Sequence, residues 1–188
     1  MRPIPVTGSS PRVARTQQAL AESLLELIVE KGYDRTTVED VLRRADVGRT
    51  AFYDHFQNKQ ELLLRRMDEI PWLRTRPSQQ NADAVTFDAI FLFGHLADQR
   101  ELIAALRGTP IFDEALARLR DQLLASFTQS LQARANAAAD DNHLQLTAQA
   151  LTGALMQLLL WWLAADMPET PATMASWFAQ LAERMVDV

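Results

Sequence analysis

Residues 36–63 constrain the fold of this chain more than any other stretch, because they hold two short amphipathic segments joined by a tight turn. Val38, Val41, Leu42 and Ala45 recur at i, i+3, i+4 and i+7, which is one face of a helix. Thr36 and Glu39 have the spacing of a capping box, so a first helix is expected over about 37–44. Ala45-Asp46-Val47 reads as the turn, and Gly48 as the cap of a second helix that opens on Arg49 and Thr50.

In that second helix only Ala51, Phe52 and Phe56 need face inward, leaving Arg49, Thr50, Tyr53, Asp54 and His55 wholly or partly free. A helix of about two turns is marginal alone, since helices under roughly 12 residues gain little in water. Its purpose must lie in what it presents. Entry into a DNA major groove is such a purpose: Arg bonds a guanine edge, and Thr or Tyr hydroxyls reach phosphates or bases.

At Thr37, Val38, Ala45, Val47, Phe52, Tyr53, His55, Phe56, Lys59, Glu61 and Leu62 the chain resembles the TetR/AcrR family of bacterial transcriptional regulators, in residue type and in spacing. Two positions depart from the family pattern. Asp46 stands where Gly is usual in the turn, and Asp tolerates left-handed backbone better than most residues. Gly48 stands where Ser is common and brings no hydroxyl. The resemblance implies that Thr37, Arg49, Thr50, Tyr53, His55 and Lys59 touch DNA, with Arg49 on a base edge and Tyr53 and Lys59 on the backbone. It implies an inverted-repeat operator bound by a homodimer. It favours a repressor that an effector releases, either a small molecule or a protein. A helical ligand- or protein-binding adaptor that kept the fold without specific DNA reading is the alternative.

A net charge of −5 looks wrong for a DNA binder until it is divided. Up to residue 67 there are eleven basic and nine acidic side chains; beyond it there are eight and fifteen. The acidity belongs to the C-terminal part. Arg12, Arg15, Arg43, Arg44, Arg49 and Lys59 are therefore placed to converge on phosphates, a solvated face being the plainer reading of Arg12, Arg43 and Arg44.

The expected class is all-α, with a three-helix DNA-binding domain followed by a helical bundle, about nine helices in all. Residues 1–10 read as a flexible arm, 11–57 as the helix-turn-helix domain and 58–188 as the regulatory and dimerisation domain. Ser10-Pro11 starts the first helix, with Leu20, Leu24, Leu27 and Ile28 as its stripe, and Lys31-Gly32 stops it. A fourth helix starts at Asn58 and runs to Pro71, and 72–83 reads as a loop. Five more helices follow over about 84–97, 99–107, 110–134, 143–165 and 171–186, broken at Gly108-Thr109-Pro110, around Asn136–Asn142 and at Pro168–Pro171.

Residues 143–165 are apolar nearly all round and need cover on more than one side. A second copy of the chain supplies it if dimerisation runs through helices 143–165 and 171–186, the latter offering Met174, Phe178, Leu181 and Met185. The most apolar run, Leu151–Ala165, is interrupted by Thr152, Gly153 and Gln157 and is shorter than the roughly 20 residues a bilayer requires. With no cysteine and no apolar leader core at the N-terminus, a cytoplasmic protein without a membrane partner is expected.

Enzymatic chemistry is not indicated. The histidines, His55, His95 and His143, are scattered; His95 with Asp98 is more readily a polar pair than a metal site, and no phosphate loop or nucleophile motif is present. No catalytic residue, metal or cofactor is expected. Phe91, Phe112, Met156 and Trp161, with Phe87, Phe93 and Trp72, are candidates for lining an effector cavity, although an aromatic at helical spacing is more often plain core.

Overall fold

The computed structural model describes residues 11–69, 88–134 and 140–186. The expected arm, the 72–83 loop, Trp72 and Phe87 lie outside them, as do most of the Asn136–Asn142 break and the approach to Pro71. Among the described residues the regular structure is helical, in nine elements. They are α1 (Pro11–Lys31), α2 (Val38–Ala45), α3 (Arg49–Tyr53), α4 (Lys59–Asp68), α5 (Ala89–Asp98), α6 (Arg100–Leu106), α7 (Pro110–Arg134), α8 (Asp141–Ala164) and α9 (Pro171–Val186).

The chain divides into two compact units. The first holds α1 to α4 together with Glu101–Ala115, most of α6 and the first turns of α7. Its core is built on the α1 stripe of Leu20, Leu24, Leu27 and Ile28, against which Val41, Leu42, Phe52, Phe56, Leu62 and Leu63 close. Leu106 and Ile111 complete it. α1 ends where Gly32 takes φ +84° and its N–H donates to the Ile28 carbonyl at 2.8 Å, a left-handed cap that favours glycine.

The capping box of α2 sits one residue later than Thr36 and Glu39 suggest. Thr37 is the cap: the Asp40 N–H donates to its hydroxyl oxygen at 3.2 Å, and the Thr37 N–H donates to Asp40 Oδ2 at 3.0 Å. Thr36 is instead fully buried, and its hydroxyl bonds the Gly32 carbonyl at 2.9 Å. A buried hydroxyl must find such an acceptor, which removes it from capping. The turn after α2 is made by Asp46, at φ 52° and ψ 45°, with its N–H donating to the Leu42 carbonyl. Asp therefore does the work expected of glycine, at modest cost.

The second unit holds α5, the rest of α7, α8 and α9. α9 packs on both α5 and α8. The edge of Trp162 meets Phe93 at 5.2 Å between ring centres, and its indole N–H donates to the Glu169 carbonyl at 2.9 Å. Phe127 packs on Phe178 at 5.9 Å. α8 buries one stripe, Ala148, Leu151, Thr152, Leu155, Leu159, Trp162 and Leu163, and leaves Leu146, Leu160 and Trp161 exposed. On α9, Met174 and Phe178 are buried within the chain, whereas Trp177 and Leu181 are exposed. Two sequence expectations change here. α8 has 24 residues and is long and apolar enough to cross a bilayer, so length does not exclude a span; its buried stripe is that of a core helix. Phe178 serves its own chain's core and is not free for a partner.

Asp40 ties α2 to the end of α1. Its carboxylate accepts from Lys31 Nζ at 2.6 Å, Arg43 Nη2 at 2.6 Å and the Thr37 hydroxyl at 2.7 Å. These bonds, that from Lys31 foremost, hold its carboxyl well below the usual carboxylate range. Because the folded state depresses this pKa, the stability it contributes is complete above the unfolded value of about 3.9 and is lost as pH falls below it. Asp40→Asn should lower the thermal midpoint at neutral pH and flatten its decline between about pH 4 and pH 2, read by circular dichroism.

Candidate nucleic-acid interface

α3 is five residues long, and Gly48 at its start provides no side-chain cap. Packing holds it instead. Phe52 is fully buried and Phe56 nearly so, their rings 5.7 Å apart. Burying two such side chains is worth roughly 3–6 kcal/mol, enough to offset the cost of nucleating a short helix. With Phe52 fixed inward, Arg49, Thr50 and Tyr53 share the outer side at i, i+1 and i+4.

The structure exposes these three residues. The Arg49 side chain is 69% exposed, its guanidinium 5.9 Å from the centre of the Tyr53 ring and its Nη2 3.7 Å from Glu39 Oε2. Tyr53 is half exposed, with the rest of its ring edge-on to Phe52 at 5.2 Å. His55 is half-buried and turns an edge to Phe56, so part of its surface serves packing. Glu39, Leu42, Arg43, Val47 and Arg49 line an open depression between α2 and the start of α3.

Other expected contacts are already engaged within the chain. Thr37 spends its hydroxyl on the α2 cap. Lys59 Nζ donates to the carbonyls of Tyr33 and Thr36, each at 2.7 Å, and sits 4.1 Å from the centre of the Tyr33 ring. Burial pushes the Lys59 ammonium below its ordinary pKa. Arg43 is paired with Asp40. Arg44 forms a two-pronged pair with Glu30, Nη1 to Oε1 at 2.6 Å and Nη2 to Oε2 at 2.5 Å, and this bond holds the Glu30 carboxyl below its usual value. Sequence reasoning missed the acidic partners Glu30, Glu39 and Asp40. Their signal lay in the near balance of charge up to residue 67 and in the capping box, which, moved by one residue, frees Glu39 to face Arg49.

The four effector candidates fall in different surroundings. Phe112 is partly buried against the core of the first unit, which accounts for it without a ligand. Phe91 is partly exposed and stacks on His95 at 6.2 Å. Met156 is half-buried, and Trp161 is half exposed on the outer face of α8.

Residues 21–65 match the family of bacterial regulatory proteins, tetR family, and residues 89–184 match the transcriptional regulator C-terminal region. This chain belongs to the TetR family. It is a transcriptional regulator with a DNA-binding helix-turn-helix, and not an enzyme. It is 43% identical over 53 residues to an uncharacterized HTH-type transcriptional regulator, YxbF, of Bacillus subtilis, over 28% of this chain and 14% of that one. The match spans well under half the length of each such relative, 40% at most. The whole fold is similar to that of the dihydroxyacetone kinase operon activator DhaS, with a TM-score of 0.66 and 15% identity over 92% of this chain and 96% of that one. It is also similar to NalD, the secondary repressor of the MexAB-OprM multidrug efflux pump in Pseudomonas aeruginosa, with a TM-score of 0.59 and 23% identity over 92% and 97%.

For this TetR-family regulator the packing of Lys59 makes a definite prediction. Lys59→Met keeps the apolar stem but removes the donors to Tyr33 and Thr36, and should cost about 1–3 kcal/mol in urea unfolding. Unchanged stability with a shallower salt dependence of DNA binding would show a phosphate contact instead.

Proposed function

We propose that this protein is a repressor that binds an inverted-repeat operator as a homodimer and is released when an effector binds its C-terminal part. The observation that carries the reading is the Arg49–Thr50–Tyr53 face, held outward because Phe52 is buried beneath it. Within it Arg49 reads a base edge, while Thr50 and Tyr53 take bases or phosphates; His55 lies alongside as a further contact, and Thr37 and Lys59, engaged within the chain, hold the reading helices in place instead of bonding DNA. Residues 11–57 carry operator reading, and 58–188 carry dimerisation and regulation. The protein acts in the cytoplasm, where the DNA is. Repression rather than activation rests on resemblance, since an activator and a repressor share this fold.

Dimerisation is supported by the exposed faces of α8 and α9, on which Leu146, Leu160, Trp161, Trp177 and Leu181 lie open. An effector, small molecule or protein, acts through the second unit, where Phe91, Met156 and Trp161 are the candidates. Its effect on operator affinity equals its difference in affinity for the two states.

Selection of bound sequences from random duplexes tests the reading: a two-fold motif is expected, and no enrichment would favour an adaptor of the same fold. Arg49→Ala should leave the fold intact, lose about 1–3 kcal/mol on the selected operator and relax preference at one base pair of each half-site. The dimer has its own check in sedimentation. Trp177→Glu should give folded monomer, because its ring is open in the single chain, whereas Phe178→Glu should unfold the second unit by burying an unpaired charge. Wild-type protein sedimenting as a monomer at micromolar concentration would contradict the dimer.

A further inference from the structure

The pairing of Arg49 with Glu39 bears on the selectivity of operator reading, and any role for it rests on the proposed function being right. Around the α2–α3 turn the strongly bound carboxylates are already engaged: Asp40 with Lys31, Arg43 and Thr37, and Glu30 with Arg44. Glu39 differs. It lies in the first turn of α2 with its side chain 67% exposed, and its Oε2 is 3.7 Å from Nη2 of an Arg49 side chain that is itself 69% exposed. Both residues line the open depression between α2 and the start of α3.

We propose that Glu39 is a positioning residue for Arg49, holding one side of the guanidinium so that another side is offered to a base. A guanidinium has five N–H donors in a planar fork, so it can keep a carboxylate on one edge while two donors meet O6 and N7 of a guanine. The Tyr53 ring, 5.9 Å from the guanidinium carbon, limits its swing on a second side. At a non-operator site the strongest attraction for Arg49 is a phosphate. Turning to it means giving up Glu39 and bringing that carboxylate toward the anionic backbone. The operator complex keeps the Arg49–Glu39 pair and the non-operator complex breaks it, so the pair widens the gap between the two affinities. Two recognition helices in a dimer multiply the effect.

Glu39→Gln keeps the shape and removes the charge, and its exposure makes folding indifferent to the change. Fluorescence anisotropy with the selected operator and with a scrambled duplex, at several salt concentrations, gives the selectivity ratio. We expect Glu39→Gln to tighten scrambled-duplex binding without tightening operator binding, lowering the ratio roughly two- to five-fold per half-site, the range of an exposed ion pair. In the Arg49→Ala background the same substitution should leave the ratio unchanged. Equal tightening on both duplexes, or the same fall in ratio without Arg49, would show a general charge effect and overturn the proposal. If wild-type protein selects no two-fold sequence, the operator reading fails and the inference falls with it.

Discussion

The burial of Phe52 and Phe56 is the constraint on which the DNA-reading part of this molecule depends. Five helical residues with a glycine cap have no stability of their own, so the position of α3 is set by the two rings that anchor it to the α1 stripe. Everything α3 offers follows from that anchorage. With Phe52 turned inward, Arg49, Thr50 and Tyr53 are left on the exposed arc of the helix. The Asp46 turn fixes the distance back to α2, and so brings Glu39 within reach of Arg49.

The charges of the first unit form a second layer on this frame. Lys31, Arg43 and Arg44 are neutralised by Asp40 and Glu30, and the Lys59 ammonium is held by two carbonyls and a tyrosine ring. A near-neutral DNA-binding unit is the result. Counterion release then contributes less to affinity than the number of arginines suggests, and more weight falls on the few side chains that remain exposed. Base reading and selectivity gain importance over bulk attraction.

The class, the helix order and the outward face of α3 are legible in the sequence because each rests on local periodicity and spacing. Sequence and structure part where one residue of phase decides the outcome. Thr36 and Thr37 are chemically alike, and only the third dimension buries one and leaves the other to cap. On α9 the stripe Met174, Phe178, Leu181 drifts from the buried row, which is Met174, Phe178 and Ala182; a small alanine gives little hydropathy signal, while Leu181 and Trp177 face out. Lys59 reads as a phosphate contact because its carbonyl partners lie more than twenty residues away, at Tyr33 and Thr36, beyond any local pattern. Phe112 is ambiguous in the sequence for the same reason: its core is assembled from α1, α2, α3 and α4.

In the proposed reading Arg49, on a helix positioned by Phe52, meets a guanine edge. Replacing guanines one at a time by 7-deazaguanine in the selected operator removes the N7 acceptor without altering base pairing. Wild-type protein should lose affinity at one symmetry-related pair of guanines, and the Arg49→Ala variant should show no penalty there. An identical pattern of penalties for the two proteins would contradict the account.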